Sequence, residues 1–331
     1  MLGLTKLEAG PGNVELAERP DPQPGPGEVV VEVAAAGICG TDLHIYDGEY
    51  ATEIPVTMGH EVSGTVVELG DGVDAEWSGA RVVTETYYST CGACPFCRVG
   101  RINLCPERRS IGTHVDGGFA SRALLPARGL HRIPDWLDAS VAVLAEPLAC
   151  VCNSLLERSQ VGADDEVLVV GPGPVGLLAA QVVHACGARV HVRGTSRDER
   201  RLEVARSLGF ATSVAGEPLA APADVVVECS GHEAGMAFGL ESARRGGRYV
   251  QIGLAGKAVE LPFDEVCFRE LTVTSGFAST PSSWRRALAL IEERKVDLEP
   301  LVSEVLPLAD WERAFAATRS GEGIKFVLDP R

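Results

Sequence analysis

Four cysteines lie within one short stretch, CGACPFCRVGRINLC, spaced C-x2-C-x2-C-x7-C (Cys91, Cys94, Cys97, Cys105). Thiolates this close match a closed tetrahedral zinc site, in which the protein fills every position and leaves none for a substrate. Such a site holds structure together. The chain has ten cysteines, and its N-terminus, MLGLTKLEAG, lacks the charged and apolar regions of a signal peptide. A cytoplasmic, reducing setting is therefore expected, where close cysteines read first as metal ligands and not as a disulfide framework. A second set of ligand types is scattered: Cys39, then His60 and Glu61 in MGHEVSG, then Glu146 in LAEPLAC. A catalytic zinc keeps few protein ligands and one open position. Each of these residues also has an ordinary reading, as a small buried thiol, a satisfied core histidine or a structural ion-pair partner, and spacing alone does not unite them.

The run VLVVGPGPVG (167–176) places Gly171, Gly173 and Gly176 in G-x-G-x-x-G order after an apolar strand and at the start of a helix. That context gives the pattern its meaning. The first glycine permits the tight turn, the second lets backbone approach a pyrophosphate, and the third lets helix and strand pack closely, with Pro174 and Val175 opening the helix toward the phosphates. About 20 residues on, where a carboxylate would hold the ribose 2′-hydroxyl of NAD, stand Ser196 and Arg197, with Arg193, Arg200 and Arg201 nearby. An uncharged serine beside arginine accepts a 2′-phosphate, so NADP is favoured over NAD. The alternative gives the acidic role to Asp198 or Glu199 and leaves the arginines as a solvated helix face.

These residues need elements to hold them. Up to residue 146 the pattern is β-rich, with strands expected over Val29–Ala36 and Val62–Leu69 and short strands around the cysteine-rich loop. Beyond it, strands (167–170, 189–193, 225–228, 249–252) alternate with helices (174–185, 200–208, 233–243), which implies a parallel sheet. The order β-rich, α/β, then a C-terminal return places one domain inside another: 1–148 with the zinc lobe at about 90–106, 149–280 for the cofactor, and 281–331 completing the first. A net charge of −16 argues against a nucleic-acid partner. No unbroken apolar run of about 18 residues occurs, so no membrane span is expected.

Taken in order, GICGTDLHIY (37–46), GHE (59–61), the four-cysteine lobe, EPL (146–148) and GPGPVG resemble the zinc-containing medium-chain dehydrogenase/reductase family, nearest its polyol and threonine dehydrogenase branches. The resemblance spans nearly the whole chain. It implies an α/β protein: a GroES-like β-rich catalytic domain with an inserted Rossmann doubly wound parallel-sheet domain and the active site in the cleft between them. It implies two zincs per chain, one structural and one catalytic. Cys39 and His60 would ligate the catalytic zinc, with Glu61 or Glu146 completing the shell. Thr41 would bond the substrate hydroxyl, His44 would pass its proton toward solvent, and Asp42 would stand behind the ligands. Lys325, in GIKFVL, resembles a basic position near the cofactor. Gly40 departs from the liver-type alcohol dehydrogenase pattern and agrees with the polyol-like one. The implied activity is hydride transfer between a secondary alcohol (polyol, sugar or cyclitol-like) and NAD(P), by a homodimer or homotetramer. An L-threonine 3-dehydrogenase is the nearest alternative, and a non-catalytic cofactor-binding relative a remote one. The loop HIYDGEYATEIP (44–55) bears acidic groups and no basic one, which disfavours a carboxylate-bearing substrate unless Arg101 or Arg122 supplies the charge, and would suit an aminated one.

Overall fold

A computed structural model describes residues 1–331. The chain divides into two compact units, Met1–Glu146 with Val302–Arg331, and Pro147–Leu301. The first boundary falls two residues from the expected one. The second is a correction: residues 281–301 belong to the inserted unit and not to the return. The helix Pro281–Glu292 is capped by Thr280 and buries Trp284 completely, while Asn153 holds the preceding loop through the carbonyls of Phe277 (3.2 Å) and Ala278 (2.8 Å). A tryptophan this well covered fixes the helix to the unit it packs in.

The first unit is built on a seven-stranded sheet whose middle carries the site. Strand Glu28–Gly37 pairs antiparallel with Glu61–Leu69 on one side and with Lys325–Asp329 on the other. The return strand thus completes a sheet begun some 290 residues earlier. Its apolar residues, with Phe119, Trp311 and Phe315, form one core cluster. A three-stranded sheet (Val14–Glu18, Leu2–Lys6, Val56–Thr57) lies beside it in the chain's pairing.

The second unit is a six-stranded, all-parallel sheet. Its spatial order is Ala211–Val214, Arg189–Gly194, Glu166–Val170, Ala223–Glu228, Ala243–Gln251, Thr272–Ser275. In chain order that is 3-2-1-4-5-6, the doubly wound arrangement. The order reverses between Glu166–Val170 and Ala223–Glu228, and the glycine-rich turn leaves the first of these. Such a switch point opens a crevice beyond the strands' carboxyl ends. The strands at 211–214 and 272–275 were not expected. Both are edges, and their polar, partly exposed residues give no apolar signal. One helical stretch, Ala139–Glu157, is long and apolar enough to cross a membrane, but 78% of it is buried inside the protein and it carries Glu146, as a core helix does.

Candidate metal centres and nucleotide site

The sheet positions the catalytic candidates directly. Glu61 opens its strand opposite Gly37 in the register, and Lys325 opens the strand on the far side of Gly37. A Cβ at residue 37 would lie 2.2 Å from Glu61 Oε2. Only glycine there lets the Lys325 ammonium reach Glu61, at 2.8 and 2.7 Å from its two oxygens, both side chains being fully buried. Lys325 also donates to the carbonyl of Ile38 at 2.9 Å. Burial alone would lower the Lys325 pKa, but the Glu61 carboxylate and Cys39 outweigh it and raise it. The ammonium expected to serve the cofactor is committed to this ion pair.

Two residues after Gly37, Cys39 caps the helix Gly40–Tyr46, whose Asp42 accepts from the Cys39 amide at 2.8 Å. Ligand atoms of Cys39, His60 and Glu61 converge to within 4.8 Å of one another. His60 Nδ1 faces Asp42 Oδ1 at 3.7 Å, and both atoms are buried without a hydrogen-bond partner. Burial disfavours a His60 imidazolium, yet Asp42 and Cys39 outweigh burial and push its pKa well above the usual histidine value. A soft sulfur, an imidazole and a carboxylate in a pocket that favours positive charge are a donor set suited to zinc. A carboxylate behind a ligating histidine is the usual second support of such a site. Thr41 Oγ1 lies 3.7 Å from Cys39 Sγ, at the head of the helix that carries His44 one turn on. Glu146 stands outside the converging three. Its carboxylate accepts from Thr86 Oγ1 at 2.8 Å, and its charge bears on both Glu61 and Lys325.

The other four cysteines also converge to within 4.8 Å. Cys94 caps the four-residue helix Pro95–Arg98 and Cys105 follows the turn Ile102–Leu104. Cys91 Sγ is 4.0 Å from Cys97 Sγ and 3.6 Å from Cys105 Sγ. A zinc–sulfur distance of about 2.3 Å gives a tetrahedron with edges of about 3.8 Å, so the cage fits zinc. Amide N–H groups of Cys91, Cys94 and Cys97 point at the sulfurs of Cys105, Cys91 and Cys94. Amides of Ala93 and Cys94 hold the Cys91 thiol down to about 7. Such bonds stabilise thiolate charge.

In the second unit, Gly171 has φ +97° and a Cβ there would meet the backbone of Ser230 at 2.7 Å. The turn Glu228–Gly231 that it touches hangs on the buried Glu228 carboxylate, which accepts from the amides of Ser230 (2.8 Å) and Gly231 (3.1 Å) and from Gln251 (2.9 Å). The sequence reading missed Glu228, because no motif marks a carboxylate that serves only a turn. Gly173 caps the helix Pro174–Ala185 without a side-chain bond, so its first N–H groups stay available to phosphate oxygens. Ser196, Arg197 and Arg200 are exposed past the end of the next strand. Asp198 accepts from the Thr195 amide (2.8 Å) and hydroxyl (2.7 Å) and lies 3.6 Å from Arg201, while Glu199 pairs with Arg206. Arg193 does not join the exposed arginines. It is buried, bonded to Ser213 (3.0 Å) and the Glu217 carbonyl (2.9 Å), over the Phe238 ring.

The acidic loop after His44 is less bare than its sequence. Arg109 binds Glu53 through both nitrogens (2.8 and 2.6 Å) and Arg319 binds Asp47 (2.8 and 2.8 Å). Arg122 is 3.3 Å from Glu68.

A doubly wound nucleotide fold combined with a zinc-type donor set on a separate β-rich unit defines a metal-assisted, nicotinamide-dependent oxidoreductase class. Family models agree: an alcohol dehydrogenase GroES-like domain matches residues 25–135 and a zinc-binding dehydrogenase domain matches 174–293. The chain is 37% identical to a sorbitol dehydrogenase of Halalkalibacterium halodurans, covering 100% of this chain and 99% of that one. It is 34% identical to an L-threonine 3-dehydrogenase of Bacillus velezensis over 95% of each. A solved zinc-binding dehydrogenase from Sinorhizobium meliloti, bound to NADP, superposes with a TM-score of 0.91 at 32% identity, covering 99% of both chains. The chain belongs to the zinc-containing medium-chain dehydrogenase/reductase family and is an alcohol dehydrogenase acting on CH–OH donors.

Proposed function

We propose that the chain oxidises a secondary alcohol of polyol, sugar or cyclitol type with NADP, and carries one catalytic and one structural zinc. The convergence of Cys39, His60 and Glu61 carries this reading. Zinc at that point supplies Lewis acidity toward the alcohol oxygen, and the nicotinamide supplies the hydride acceptor. The protein's own groups do the rest. Cys39, His60 and Glu61 hold the metal, with Glu146 in reserve beside them. Asp42 orients His60 and Lys325 neutralises Glu61. The Thr41 hydroxyl takes the alcohol proton and His44 passes it to solvent. Gly171, Gly173 and Gly176 let the pyrophosphate approach the helix start, and Ser196 with Arg197 receives the 2′-phosphate. Arg201 lies against Asp198 and supports that turn.

A neutral polyol suits the loop better than threonine or an amine. Asp47 and Glu53 already have arginine partners, so the loop offers neither bare anions for an ammonium nor uncommitted guanidinium groups at those two positions. A homodimer or homotetramer is supported by the edge strand Thr272–Ser275, whose outer side is unpaired and whose Val273 is exposed near Phe268 in sequence. Ten cysteines with no disulfide among them suit the cytoplasm.

The test is nicotinamide absorbance during incubation of zinc-loaded protein with polyols, sugars, aminocyclitols, threonine and simple alkanols, each with NADP and with NAD. Turnover of a polyol with NADP, lost on chelation, is the expected result. Turnover with threonine alone overturns the substrate class, and turnover with NAD alone overturns the Ser196–Arg197 reading.

A further inference from the structure

We propose that Glu49 is a positioning residue for proton exit: its carboxylate holds His44 in the tautomer that carries hydrogen on Nδ1 and keeps Nε2 open as the proton acceptor. The proposal rests on reading His44 as the outer member of the Thr41 relay. His44 Nδ1 lies 2.7 Å from Glu49 Oε2. An ionised carboxylate can only accept, so Nδ1 must donate, and the lone pair of neutral His44 is then on Nε2. A proton delivered by the relay, released as Thr41 Oγ1 takes the alcohol's proton in its place, forms the Nε2–H bond. The resulting imidazolium keeps Glu49 as its partner until a proton departs to water.

The meeting of these two side chains is built into the backbone. The helix Gly40–Tyr46 ends at Asp47, and Gly48 (φ +73°) turns the chain back so that the amides of Glu49 and Tyr50 donate to the His44 carbonyl at 2.9 and 3.3 Å. A Cβ at residue 48 would come within 2.6 Å of the Gly10 backbone. That neighbouring loop is itself tied down by the buried Lys6, whose ammonium donates to the carbonyls of Gly10 and Gly12 (2.6 Å) and reaches that of Tyr46 at 3.4 Å. Lys6 therefore braces the carbonyl end of the relay helix, where positive charge is favoured. Asp47, the other carboxylate near His44, is held by Arg319. Glu49, which the Arg319 charge also reaches, is the carboxylate in hydrogen-bond contact with the imidazole.

The experiment compares Glu49→Ala, Glu49→Gln, His44→Ala and the His44→Ala/Glu49→Ala double variant in the intact enzyme, with sorbitol and NADP. Tautomers are read from 15N spectra of the His44 ring, assigned by its loss in His44→Ala. Glu49→Ala is expected to move the ring toward the Nε2–H tautomer and to lower kcat about tenfold, less than the roughly 100-fold or more that an acid–base group itself contributes, because His44 stays in place, with KM for sorbitol within about twofold. Glu49→Gln keeps an acceptor oxygen and restores most of the rate and the Nδ1–H signature. The double variant is no slower than His44→Ala, because both act through one imidazole. A His44 spectrum unchanged in Glu49→Ala, or full kcat in Glu49→Ala while His44→Ala is slow, overturns the proposal and leaves the relay standing. Full kcat in His44→Ala removes the relay reading and this proposal with it.

Discussion

At the scale of single residues, the buried Glu61–Lys325 pair is the most exacting contact near the catalytic donors. Two full charges sit in the sheet interior, and their cost in desolvation is offset chiefly by each other, with the Ile38 carbonyl and the nearby Cys39 adding support to the ammonium. In zinc-free protein Lys325→Met should therefore destabilise the fold by about 3–5 kcal/mol, the cost of leaving one buried charge unpaired. Adding Glu61→Gln should return much of that loss, since no charge is then stranded. Urea unfolding of the two variants checks this, and a loss under about 1 kcal/mol in Lys325→Met would mean the pair is dispensable. The sequence allowed Glu61 the role of an ion-pair partner but did not point to Lys325 as the other member. The partners are 264 residues apart, and their meeting depends on Gly37 having no side chain. Cys39, His60 and Glu61 were legible as types, because thiol, imidazole and carboxylate are what zinc takes. Their convergence was legible only through the family resemblance and not from spacing, because it depends on strand register, which spacing in the chain does not encode.

At the scale of elements, the cysteine lobe has little else to hold it. Between residues 91 and 105 only Asn103 and Cys105 are buried, and its one helix has four residues. On the proposed reading, metal supplies here what an apolar core does elsewhere. Cys94→Ser is expected to halve the zinc content from two ions per chain to one and to open residues 90–106 to protease. Unchanged metal content and unchanged cleavage would contradict a structural site here. Elements with strong local signals were legible in the sequence: Pro174 starts a helix that ends at Ala185 as its apolar pattern requires, and the strand after Gly27 lies where its valines place it. Elements defined by their neighbours were not. Ala211–Val214 and Thr272–Ser275 are strands because adjacent strands offer them partners, and Pro281–Glu292 joins the inserted unit because Trp284 finds its core there.

At the scale of the whole molecule, the proposed reading gives the two kinds of cofactor to different units. Both zinc donor sets lie within Met1–Glu146 and Val302–Arg331, whereas the glycine-rich turn and the Ser196 region lie within Pro147–Leu301. A ligand that binds only the folded state of one unit slows the opening of that unit by mass action. Chelation should accordingly speed amide hydrogen exchange around 37–61 and 91–105 and leave the parallel sheet near its former rates. NADP at about a hundred times its Kd should slow exchange around 166–200 and 228–253, by as much as about 100-fold where opening expels the cofactor. The sheet's central strands are buried on both faces, so they report global opening, and the turns at their carboxyl ends report cofactor release. Chelation that loosened both units equally would mean that metal and nucleotide are not divided between units in this way. NADP protection confined to the first unit would place the nucleotide away from the glycine-rich turn and remove the basis for reading Ser196 and Arg197 as its selectors.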